Sequence, residues 1–137
     1  MVRREIKFTD FNGKPQTEVG YFNINKAELG KLQMRHNGTY IDYLKLLSEK
    51  KRVEEMYNFV YELILDAYGE KDPEGRKFIK TAEMRTDFEQ SLPFSELILQ
   101  LITDAEDLAA FVKGIMPPDL VTDGGEINAA ALPATVE

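Results

Sequence analysis

The apolar positions along this chain change period twice. Near the start they alternate, with Ile6 and Phe8 separated by polar residues in Glu5-Ile6-Lys7-Phe8-Thr9-Asp10-Phe11, which is the two-residue period of a strand. A second run of strand formers, Thr17-Glu18-Val19-Gly20-Tyr21-Phe22-Asn23-Ile24, follows the turn-forming Asn12-Gly13-Lys14-Pro15. Together they predict a β-hairpin. A lone hairpin is marginal in water, so its apolar face, expected to hold Ile6, Phe8, Val19 and Phe22, needs a covering layer.

From Asn25 onward the period becomes helical. Asn25-Lys26-Ala27-Glu28 has a capping residue with a carboxylate three positions later, so a short helix should start there and end before His36-Asn37-Gly38. Thr39-Tyr40-Ile41-Asp42 repeats the signature, placing Ile41, Leu44 and Leu47 on one helical face. The strongest stripe runs over 53–68 (Val53, Met56, Tyr57, Val60, Leu63, Ile64, Ala67) and should stop at Gly69. Asp72-Pro73-Glu74-Gly75 is a type I turn, and a short helix over 76–88 should show Phe78, Ala82 and Phe88. Pro93 suits the first turn of a final helix, whose stripe is Phe94, Leu97, Ile98, Leu101, Ala105, Leu108 and Val112. Gly114 and Pro117-Pro118 should end it.

The expected fold is therefore mainly α: an N-terminal β-hairpin packed on a compact bundle of about four to five helices. Residues 1–118 should form one globular domain, the hairpin over 1–24 and helices over 25–118. A flexible tail over 119–137 is expected because almost no large apolar residue follows Leu120.

Two of these helices are apolar over an unusually wide arc. On the first, Tyr61, Leu65 and Tyr68 flank the main stripe on one side and Phe59 on the other. On the last, Leu99 and Ile102 lie beside the stripe. Such helices are either central in their own fold or contact a partner on a second side, so Phe59, Tyr61, Leu65, Tyr68, Leu99 and Ile102 are candidate partner-binding residues. Two of them in one short chain also favour self-association.

Composition narrows the function classes. With 137 residues, 43% hydrophobic and 30% charged, the chain can bury one core. It has no cysteine, which removes disulfides and thiolate metal sites and fits a reducing cytoplasm. The basic start lacks the apolar run of a secretory signal, and no stretch is long and apolar enough for a membrane helix. A net charge of −7 opposes binding to nucleic acid.

No catalytic or cofactor-binding residue stands out. His36 is the only histidine, so a histidine-based triad or a multi-histidine metal site is excluded. Asn37-Gly38-Thr39 matches a glycosylation sequon, but such short matches are frequent by chance and no export signal accompanies it, so the helix-capping reading of Thr39 wins. Asp72 with Glu74, and Asp119 with Asp123 and Glu126, lack the alternating spacing of a calcium loop. Glu54, Glu55, Glu62 and Asp66 read as a solvated helix face, and Gly124-Gly125 lacks phosphate-loop spacing.

The order and spacing of Leu65-Asp66-Ala67-Tyr68-Gly69, Glu74-Gly75-Arg76-Lys77-Phe78, Phe88, Phe94 with Leu97, and the segment from Phe111 to Pro117 resemble the tail assembly chaperones of long-tailed phages and prophages of Gram-positive bacteria. The resemblance implies a non-enzymatic morphogenesis factor without cofactor or metal, working in the host bacterial cytoplasm and absent from the mature virion. Its implied partners are the tape measure protein, the tail tube protein and other copies of itself, with neither nucleic acid nor membrane. A different reading of the acidic composition is an adaptor or inhibitor of a basic protein, of the immunity-protein or antitoxin type. A small enzyme with an unsignalled site is the third.

Overall fold

In the computed structural model the described residues are 1–35 and 53–117. They form five helices and a four-stranded antiparallel sheet: β1 (Val2–Thr9), β2 (Pro15–Phe22), α1 (Lys26–Arg35), α2 (Val53–Ala67), β3 (Tyr68–Lys71), β4 (Phe78–Ile79), α3 (Ala82–Glu89), α4 (Leu92–Thr103) and α5 (Ala105–Ile115). The strand order is β1-β2-β3-β4. The expectation of a mainly α chain is thereby corrected to a mixed sheet and helix fold. The second helix expected from Thr39, with Ile41, Leu44 and Leu47, lies outside the described residues, as do His36, the sequon and the tail from residue 118.

The β1–β2 hairpin pairs continuously from Val2 opposite Phe22 to Thr9 opposite Pro15. Its turn is fixed by Asp10, whose Oδ1 accepts from the Asn12 and Lys14 amides at 2.9 Å each, while Gly13 adopts φ 81°. Opposite residues of an antiparallel pair share a face, so Ile6 and Phe22 point to the helices and both are fully buried. Val19 sits opposite Glu5, on the other face. Its expected place beside Phe22 is thus wrong by one residue of parity.

The capping box forms as the sequence encodes it. The Asn25 side chain accepts from the Glu28 amide at 2.8 Å and the Glu28 carboxylate from the Asn25 amide at 3.0 Å, starting α1. Helix α2 packs against β2, α3 and α4, and that central position accounts for much of its wide apolar arc. It ends at Ala67, where the chain turns directly into β3. Residues 76–79 do not start a helix as expected. Phe78-Ile79 instead closes a second hairpin on β3 across the Asp72–Gly75 turn, where Gly75 has φ 74° and Asp72 Oδ1 accepts from the Arg76 and Lys77 amides. Helix α3 starts later, capped by the Thr81 side chain on the Met84 amide.

The long final helix is two helices. Asp104 is extended (φ −135°, ψ 100°), closes α4 and caps α5, its Oδ1 accepting from Glu106 and Asp107 amides at 3.1 Å. Gly114 does not end α5, which runs on to Ile115. A Cβ there would meet Val2 Cγ2 at 2.6 Å, so this glycine permits close approach of α5 to β1. Arg4 clamps the two layers from β1, donating to both Asp107 carboxylate oxygens at 2.9 and 2.6 Å and to Gln100 at 3.0 Å. That guanidinium holds the Asp107 carboxyl below its usual range.

The buried side chains form one continuous core between the sheet and the helices. Phe22 is its centre, with ring centroids of Tyr68, Phe88 and Phe111 at 5.7, 5.9 and 5.3 Å.

Candidate interaction surface

Helix ends leave carbonyls without an intrahelical partner, and in this chain other elements supply the donors. The Asn23 amide donates to Ala67 O at the end of α2, and the Ile24 amide to Ile115 O at the end of α5. Lys80, just after β4, reaches the same junction. Its Nζ donates to Asp66 O and Asn23 O at 2.7 Å and to Glu28 Oε2 at 2.6 Å, using all three of its protons. Burial pushes the Lys80 pKa down, while the Glu28 carboxylate opposes that shift.

Around this junction lies a cleft of about 460 Å³ between α1, the end of α2, β4 and α3. Its apolar wall is made by Ile24, Leu32, Leu65 and Tyr68. Arg85 sits on the rim and is already engaged, by Glu62 at 2.6 Å and Asp66 at 2.7 Å. Glu28, Asp66, Lys80 and Arg85 in its lining all have partners within the chain, which leaves Lys31 at its mouth.

The candidate partner-binding residues are placed as follows. Phe59 and Leu65 are buried in the core at 5% and 3% exposure. Tyr61 is half-buried, its ring edge-on to Phe94 at 4.8 Å and its hydroxyl donating to Glu89 at 2.5 Å. The bond to Glu89 pushes its pKa up to about 12. Tyr68 lies flat on Phe88, with centroids 3.9 Å apart and planes within 4°, and burial raises its pKa. Ile102 is half-buried against the core, and Leu99 is 53% exposed on α4. Tyr57, on α2 and 38% exposed, joins the outward apolar set although it was read as core; its ring is 6.4 Å from that of Tyr61. Its position in the main helical stripe concealed it.

Charge is uneven among the elements, with the helices from α2 onward acidic. Stretches 53–67 and 82–115 hold eleven acidic side chains against two basic ones, Arg85 and Lys113. Strand and turn residues 68–81 instead hold Lys71, Arg76, Lys77 and Lys80 against Glu70, Asp72 and Glu74. Among the described residues no group of three or more His, Cys, Asp or Glu is placed to hold a metal ion, and no helix is long and apolar enough to cross a membrane.

A family model of phage tail assembly chaperones matches residues 1–133. The chain belongs to that family. The match covers the hairpin as well as the helices. No curated protein and no solved structure matches the chain. Its place in tail assembly thus rests on the family, and a non-enzymatic role accords with it.

Proposed function

We propose that this tail assembly chaperone binds the tape measure protein, keeps its long apolar helices soluble, and helps bring tail tube subunits to it in the cytoplasm of the infected bacterium, leaving before the virion is complete. Family membership over nearly the whole chain carries the reading. The surface supports it: Leu99 and Tyr57 are exposed on α4 and α2, which pack on each other, with Tyr61 and Ile102 half-buried. An amphipathic partner helix docks on such a face through apolar anchors spaced along one side. The surrounding carboxylates favour a partner with basic flanks and keep the complex soluble. Phe59 and Leu65 support the contact helices from inside; a partner would reach them only by displacing their cover. Binding of this kind needs neither nucleotide nor metal.

Co-expression with the tape measure protein of the same phage tests the proposal. A soluble complex should form, and Leu99→Asp should abolish it while leaving the thermal melt of the chaperone unchanged. An insoluble tape measure protein in the presence of abundant chaperone, with no complex recovered, overturns it.

A further inference from the structure

Strand β1 is the outer strand of the sheet, and no described element pairs with its far side. Its 8 residues run without proline, glycine or a break in the register. A long regular edge presents unpaired backbone donors and acceptors to any second strand, and folds usually guard one with proline, a bulge or charge. Here the guard is charge alone: Arg3, Glu5 and Lys7 follow one another, all exposed, on the face away from the helices.

That pattern discriminates between registers. For two copies paired antiparallel about a two-fold axis normal to the sheet, opposite residues share a face, so the axis passes beside a residue that meets its own counterpart. Centring on Arg4 opposes two guanidinium groups. Centring on Glu5 opposes two carboxylates and sets Arg3 against Lys7, and centring on Lys7 opposes two ammonium groups. Axes nearer either end leave too short a ladder. Centring on Ile6 sets Glu5 against Lys7 twice and Arg3 against Thr9, puts no like charges directly opposite each other, and aligns the whole stretch from Arg3 to Thr9.

The inner face accommodates the same register. Ile6 is buried on that face, while Phe8 stays half-buried beside an open notch of about 480 Å³ shared with Pro15, Gln16 and Thr17 of β2 and Glu96 of α4. With the axis at Ile6, Phe8 lies opposite Arg4 of the second copy, an apolar ring against a guanidinium already held by Asp107.

We infer that two copies of this chain associate through their β1 edges, antiparallel about Ile6, to give one eight-stranded sheet with both helical layers on the same side. This deepens the self-association expected of the chaperone, and it is measured on the chain alone, so its failure is separate from failure to bind a tape measure protein.

Sedimentation of the full chain over a range of concentrations should show a dimer. Lys7→Glu and Glu5→Lys, both at exposed positions, should each weaken it about tenfold or more, since each replaces two attractive pairs by two repulsive ones. An equimolar mixture of the two variants should then form a mixed dimer, because every carboxylate of one faces an ammonium group of the other. Only folded copies can show that rescue. A wild-type chain that stays monomeric, single variants that dimerise like wild type, or a mixture that fails to dimerise would each overturn the inference.

Discussion

Replacing Lys80 by methionine keeps most of the aliphatic stem and removes three donors at once. The Nζ bonds to Asp66 O, Asn23 O and Glu28 Oε2 join the end of α2, the end of β2 and α1. Hydrogen bonds to a charged donor contribute about 1.5–3 kcal/mol each where water is excluded. Two considerations reduce the sum. The side chain is 21% exposed, so water can replace part of the loss, and the Glu28 partner at 32% is screened enough to count as about 0.5 kcal/mol. Burying the ammonium also has its own cost, visible in the lowered pKa. The net expectation is a loss of about 2 kcal/mol, which in a chain of this size lowers Tm by roughly 6 °C. Urea unfolding followed by circular dichroism measures it. The sign of the pH dependence is a second readout. With the native pKa below the usual 10.5, the unfolded chain binds more protons between those values, so Lys80 adds a rise in stability as pH climbs toward 10.5, and Lys80→Met should lack it. A variant as stable as wild type would mean that the desolvation cost cancels all three bonds and that the junction is held by packing alone.

Gly69→Ala should destabilise by about 1–3 kcal/mol in the same assay, since the new Cβ would lie 2.5 Å from the Phe78 ring and 2.6 Å from Ile79 O, and the backbone oxygen cannot swing away. Asp104→Ala removes the cap shared between α4 and α5 and should lower stability by about 1 kcal/mol, with unchanged stability showing that the helices keep their break without it. In an ultraviolet titration of the tyrosines, Tyr61 should ionise late, near 12, and Glu89→Gln should bring it earlier; a curve unaffected by the substitution would contradict the bond.

Local signals in the sequence were read correctly where both partners lie within a few residues. Asn25 and Glu28 encode each other's amide bonds, and Asp72 to Gly75 carries the turn it forms, whereas the first turn, expected over Asn12 to Pro15, closes two residues earlier over Asp10 to Gly13. The errors share a cause, which is that tertiary contacts decided between two acceptable local states. Asp104-Ala105-Glu106-Asp107 is a good helix start, but the apolar stripe continues through it at helical spacing and hides the break. Phe78-Ile79 has no strand pattern of its own and is extended because β3 pairs with it. Tyr68 to Lys71 is too short and polar to announce a strand; Gly69 there lies against the Phe78 ring, a contact no spacing rule encodes. Lys80 was invisible for the same reason. Its three acceptors are 14 to 57 residues away in sequence and meet only after the second hairpin forms.

The width of the apolar arc on α2 was legible, and its meaning was not. Helical spacing identifies which side chains share a face but not how many layers touch the helix. With β2, α3 and α4 all packed on it, α2 uses Phe59 and Leu65 internally, and the surplus shrinks to Tyr57 and the half-buried Tyr61. On α4 the opposite holds: Leu97, Ile98 and Leu101 fill the core, and Leu99 is left outward at 53% exposure. An apolar side chain kept exposed on an acidic helical layer, opposite a sheet whose edge carries alternating charge, separates two tasks by surface. On the reading proposed above, the helices take an amphipathic partner and the β1 edge another copy. Leu99 is exposed on α4 and makes no part of the β1 backbone edge, so Leu99→Asp should leave the dimer intact, and Lys7→Glu should leave a chaperone that still binds its partner but no longer pairs.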